Sequence, residues 1–106
     1  METWRDAKPA DRHLYNSISI IFRNHPEMLL FFFEGERPRL RHDPMEMRKL
    51  SCYFSSGEQL LIKVALDMWS GGGNAKIWQI LETLDAENFA NVLEALAFLK
   101  RQSRAN

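Results

Sequence analysis

Cysteine is almost missing from this chain of 106 residues: Cys52 stands alone. That excludes an intramolecular disulfide framework and fits a reducing cytoplasm, where the protein is expected to reside. Net charge is missing too. Fourteen Lys plus Arg balance fourteen Asp plus Glu, so there is no bulk field of the kind a nonspecific nucleic-acid or anionic-membrane binder uses. The longest apolar run, Met28 to Phe33, has six residues, against the roughly 20 that span a bilayer. Residues 1–12 carry Glu2, Arg5, Asp6, Lys8, Asp11 and Arg12, leaving no apolar stretch for a secretory signal. No membrane partner is expected.

Repeats, low-complexity tracts and linkers are also absent, so residues 1–106 read as a single domain. What is present is helical spacing. A first helix is expected from Lys8 to Asn24, with Leu14, Ile18, Ile21 and Phe22 on one stripe. His25-Pro26 breaks it and opens a shorter second helix, with Gly35 as its left-handed terminus. The run Met28 to Phe33 points to every side of that helix, which makes it either the central element or a face for a partner; a buried strand is the competing reading.

Residues 36–43 read as an exposed basic loop, and Asp43-Pro44 as the cap and first turn of a third, short helix. Ser55-Ser56-Gly57-Glu58 has the capping-box form and starts a helix from Ser56 to about Ser70, which Gly71 ends. Ile77, Ile80, Leu81 and Leu84 describe another of about ten residues. The last is expected to begin at Asp85, with Leu84 and Phe89 as a hydrophobic staple. Phe89, Val92, Leu93, Leu96 and Leu99 form its inner face, and 102–106 its frayed tail. The fold class is therefore all-α: a bundle of about five helices, the last three packed as sequence neighbours, with a basic loop between the second and third.

The usual catalytic signatures are not found. His13, His25, His42 and Cys52 occur singly, without Cys-x-x-Cys, His-x-x-x-His or His-Glu-x-x-His spacing, so neither a metal site nor any cofactor is expected. Cys52 reads as a partly buried, inert thiol. Asp85 and Glu87 fall in a helix's first turn, where capping accounts for them. Ser70-Gly71-Gly72-Gly73-Asn74-Ala75-Lys76 lacks the glycine before the lysine and the Ser/Thr after it that a P-loop needs. An enzyme is not expected.

Two features point to binding. Arg37, Arg39, Arg41, His42, Arg48 and Lys49 form the one basic cluster, interleaved with Glu34, Glu36, Asp43 and Glu46. It reads as a solvated loop, a protein-contact loop or a phosphate grip. Trp4, Trp69 and Trp78 are many for this length; Trp4 is a candidate anchor for association, and Trp69 and Trp78 flank the glycine turn, where they are expected to clasp it to the core.

The pattern Ser55-Ser56-Gly57, Leu60-Leu61, Ala65-Leu66, Trp69, Gly71, Leu84-Asp85, Asn88-Phe89 and Leu93 to Ala95 resembles a family of small uncharacterised proteins of Firmicutes and their mobile elements. The resemblance implies a bacterial, helical, cytoplasmic domain and carries no activity or site. The expected function is a non-enzymatic one: a bacterial, phage or mobile-element product that binds a partner protein or a second copy and modulates a host system such as a defence or regulatory complex. Nucleic-acid binding through Arg37 to Lys49 is the alternative.

Overall fold

Three of the helices start at a side chain that caps them. The computed structural model describes residues 9–35 and 39–104, with side chains as far as 102. Its helices are α1 (Pro9–Ile21), α2 (Pro26–Phe32), α3 (Pro44–Leu50), α4 (Ser56–Ser70), α5 (Ile77–Thr83) and α6 (Ala86–Arg104), with a 3-10 turn at Ser51–Tyr53. This is the all-α bundle the spacing predicts. Asp43 caps α3 by accepting from the Glu46 N–H at 2.9 Å. The Ser55–Glu58 box at the start of α4 is complete: the Glu58 N–H donates to Ser55 Oγ at 3.2 Å and the Ser55 N–H to Glu58 Oε1 at 3.0 Å. Asp85 accepts from the Asn88 N–H at 2.8 Å at the head of α6. Gly71, at φ 78°, takes the left-handed position that ends α4.

The central element is α4, not α2. Leu60, Leu61, Ile62, Val64, Ala65 and Leu66 are all buried, because neighbours cover α4 on several sides. In α2, Met28 and Phe32 are buried while Leu30 is exposed. Phe33 leaves the helix to bridge Leu40 in antiparallel fashion, so α2 ends before Gly35, whose positive φ serves the turn beyond. The aromatic rings form a chain through the core. Phe22 meets Phe32, Phe32 meets Phe33, and Phe33 meets both Tyr15 and Trp69, at centroid distances of 4.6–5.8 Å. Such pairs each add about 0.5–1.5 kcal/mol beyond area burial.

The long helix α6 packs chiefly along α1 rather than on its sequence neighbour α5. Ser17 of α1 is buried and donates to the Ala95 carbonyl at 2.6 Å, so small residues let the two helices approach closely. This contact turns α6 about its axis relative to the expected face. Val92 and Ala95 are fully buried and Asn91 nearly so, whereas Leu93 and Leu96 face outward. Asparagine on the inner stripe disguised it from an apolar-period reading. Asn91 Nδ2 finds no partner there.

Other boundaries also shift. The first helix ends at Ile21 because the Arg23 and His25 N–H groups bond to Ile20 and Phe22 in a tight turn. The fifth helix has seven residues, and the sixth runs from Ala86 to Arg104. Cys52 is exposed on the 3-10 turn, not partly buried.

Candidate functional site

Among the described residues, the basic side chains turn to separate acceptors. Trp4 and Arg37 lie outside the described residues. The Glu34 N–H bonds to the Arg39 carbonyl and the Arg41 N–H to the Phe32 carbonyl, at 2.8 and 3.0 Å, so the backbone on either side of Leu40 is tied to the end of α2. Arg41 Nε donates to the Leu30 carbonyl at 2.7 Å, and Arg39 Nε lies 3.9 Å from the Glu34 carboxylate. His42 lies 3.7 Å from Glu46 and packs on the Phe31 ring. Arg48 lies beside Gly72, and Lys49 is exposed in the last turn of α3. Much of this positive charge is therefore directed at the chain's own acceptors. Phe32 and Phe33 are fully buried and Phe31 partly so, which removes them as an aromatic contact surface beside the basic segment.

Exposed apolar side chains stand instead on α5 and α6. In α5 no residue is buried. Ile77, Trp78 and Leu81 are 75%, 56% and 62% exposed, and at helical spacing they share one face. The expected clasp of the glycine turn is made by Trp69, against Phe33, and not by Trp78. On α6, Leu93 and Leu96 are 51% and 44% exposed. Sequence reading assigned Leu81, Leu93 and Leu96 to the core, because an amphipathic stripe looks the same whether it faces its own protein or another.

The glycine turn after α4 is an anion nest that the chain fills itself. The N–H groups of Gly73 and Asn74 donate to Asp67 Oδ1 at 2.8 and 2.9 Å, and that of Ala75 to Oδ2 at 2.7 Å. A phosphate there would have to displace Asp67.

A polar cleft of about 340 Å³ lies where α2, α4 and α6 begin, lined by residues including His25, Ser55, Glu58, Asp85 and Asn88. Three consecutive residues fasten the α1–α2 turn to α6. Arg23 makes a bidentate pair with Glu94, Asn24 Nδ2 donates to Glu87 at 2.8 Å, and His25 Nε2 lies 3.1 Å from Asn88 Oδ1. The hydrogen bond to Arg23 holds the Glu94 carboxyl below its ordinary range. His25 Nδ1 faces two carboxylates, Glu27 at 3.9 Å and Glu58 at 3.8 Å. Sequence spacing does not reveal this grouping, because Glu58 is far from His25 along the chain; the local His25-Pro26-Glu27 pattern is its one short-range trace.

The Ser55 N–H bond holds the Glu58 carboxyl below its usual 4.5; partial burial opposes this, and the Ser55 hydroxyl and His25 assist. A depressed folded-state value gives stability that is present above the unfolded value and is lost as pH falls through the folded one. Glu58→Gln is therefore expected to flatten the loss of stability below about pH 4.5, read from urea unfolding midpoints across pH; an unchanged acid limb counts against the box as its source.

Among the described residues no helix is long and apolar enough to cross a membrane. Compared with protein families, with curated proteins and with solved structures, the chain matches none.

Proposed function

We propose that the protein is a small, non-enzymatic cytoplasmic module of bacterial or mobile-element origin that binds a partner protein through the outer face of α5. The observation that carries this reading is α5 itself. A seven-residue helix is too short to be stable alone, and this one presents three large apolar side chains to solvent while burying none of its residues. A docked protein surface covers such a face, and a tryptophan at its centre is the residue type that most often dominates binding energy.

The basic segment becomes secondary in this reading, since Arg39 and Arg41 are engaged within the chain. Affinity capture from the native host, quantified by mass spectrometry, tests the assignment with two variants. Trp78→Ala with Leu81→Ala is expected to lower recovery of a specific partner about 30-fold, the effect of roughly 2 kcal/mol. Arg39→Ala with Arg41→Ala is expected to leave recovery unchanged. The reverse pattern overturns the proposal. If instead the arginine variant abolishes salt-dependent retention on DNA or RNA, the nucleic-acid alternative replaces it.

A further inference from the structure

We propose that His25, Glu27 and Glu58 form a binding site for a divalent transition-metal ion, Zn²⁺ in the first instance, at the junction of α2 and α4. One ligand atom from each residue lies within 4.8 Å of the other two. The orientation of the imidazole is fixed from outside the triad. Asn88 Nδ2 faces the Asp85 carboxylate at 3.4 Å, which turns Asn88 Oδ1 toward His25 Nε2 at 3.1 Å. An amide oxygen only accepts, so Nε2 carries the proton and donates. In the neutral ring, Nδ1 then presents a lone pair to two carboxylates.

The two carboxylates facing Nδ1 call for positive charge between them, supplied either by a proton on the ring or by a metal ion. The N···O separations of 3.8 and 3.9 Å exceed the roughly 2.7–3.2 Å of a hydrogen bond. They are close to the spacing of about 3.4 Å that ligands adopt around a tetrahedral ion with bonds of about 2.0–2.2 Å. The remaining adjustment falls to Glu27, whose side chain is exposed and free to change rotamer.

Glu58 is aimed by its cap: Oε1 is bonded to the Ser55 N–H, leaving Oε2 toward His25. The donor bond from Nε2 to Asn88 is the outer-shell contact that metal-ligating histidines characteristically make. Two carboxylates bring the charge that matches a divalent ion, and no Lys or Arg lines the adjoining cleft. Imidazole nitrogen with carboxylate oxygen favours Zn²⁺ over the oxygen-seeking Mg²⁺. Water completes the coordination from the cleft, and the ion cross-links the α1–α2 turn to the head of α4.

The test is calorimetric titration of Zn²⁺ into the chelator-treated full chain, with Co²⁺ visible absorption as a spectroscopic check on nitrogen–oxygen coordination. One ion per chain at micromolar affinity is expected, unaffected by excess Mg²⁺. Glu27→Gln, at an exposed position the fold does not need, is expected to weaken binding about 10-fold or more, as is Asn88→Ala through the outer shell. Glu46→Gln, which alters the separate His42–Glu46 pair, is expected to change nothing. Absence of stoichiometric binding, competition by Mg²⁺, or equal affinity in the Glu27→Gln variant overturns the site. Circular dichroism of each variant confirms that the helices are intact, so a lost site is not confused with a lost fold.

Discussion

Replacing Gly73 with alanine is expected to destabilise the protein by about 3 kcal/mol or more, at the upper end of what overpacking costs or beyond it. A Cβ at Gly73 would lie 1.8 Å from the Lys63 carbonyl oxygen and 2.7 Å from the Asp67 nitrogen. Both are backbone atoms of α4, the central helix, and neither can move without breaking helical hydrogen bonds. The conflict is one of space, since it is the neighbouring Gly71 that takes the left-handed backbone. Gly72 supplies the comparison. Its added Cβ would meet the Arg48 guanidinium and the Ser70 hydroxyl at 3.5 Å, ordinary contacts with side-chain atoms, so Gly72→Ala is expected to cost less than about 1 kcal/mol. Urea unfolding of the two variants decides the matter. Equal midpoints would mean that the turn does not press on α4 as the structure has it.

The same turn shows how much of the fold was legible. Its glycines announced the end of α4, and Ser55, Glu58, Asp43 and Asp85 announced the starts of three helices, because caps depend on residues a few positions apart. The direction of each apolar face was less legible. Leu93 and Leu96 look like core residues until the Ser17–Ala95 contact turns α6 onto α1. That contact joins residues 78 positions apart, and nothing in a local period encodes it. The central place of α4 had the same origin, since a helix is central only when others cover it.

The candidate sites divide along the same line. Basic residues between Arg39 and Lys49 were conspicuous as a cluster, yet several of them are directed at acceptors that the fold brings up: the Leu30 carbonyl, the Glu34 carboxylate, Glu46. His25 was inconspicuous because its carboxylate neighbours come from two helices. Ile77 and Trp78 were visible as apolar residues, but their exposure follows from how α5 is held, by Ile80 and Leu84 against the core and by the Asp67 carboxylate at the turn before it.

Removal of that carboxylate, Asp67→Ala, is expected to cost about 2–4 kcal/mol, since it leaves three N–H groups of one turn without their charged acceptor. Asp67 stands in the last turn of α4, where the helix dipole disfavours a negative charge. Three N–H groups from Gly73, Asn74 and Ala75 more than offset that cost. They also hold Asn74 at φ 56°, a conformation uncommon outside glycine. Asp67→Asn is expected to fall between the parent and the alanine variant: its one oxygen accepts from Gly73 or Asn74, while its amide nitrogen confronts the Ala75 N–H. Ala75 is followed almost directly by Ile77, the first residue of α5. Because α5 buries no residue of its own, loosening the turn should release the helix that carries Ile77, Trp78 and Leu81. Hydrogen exchange is therefore expected to quicken across 73–83 in Asp67→Ala while the α1–α6 interface keeps its protection. Uniform quickening through α1 and α6 would instead mean that the turn is part of the global fold, and that α5 has no local freedom with which to meet a partner.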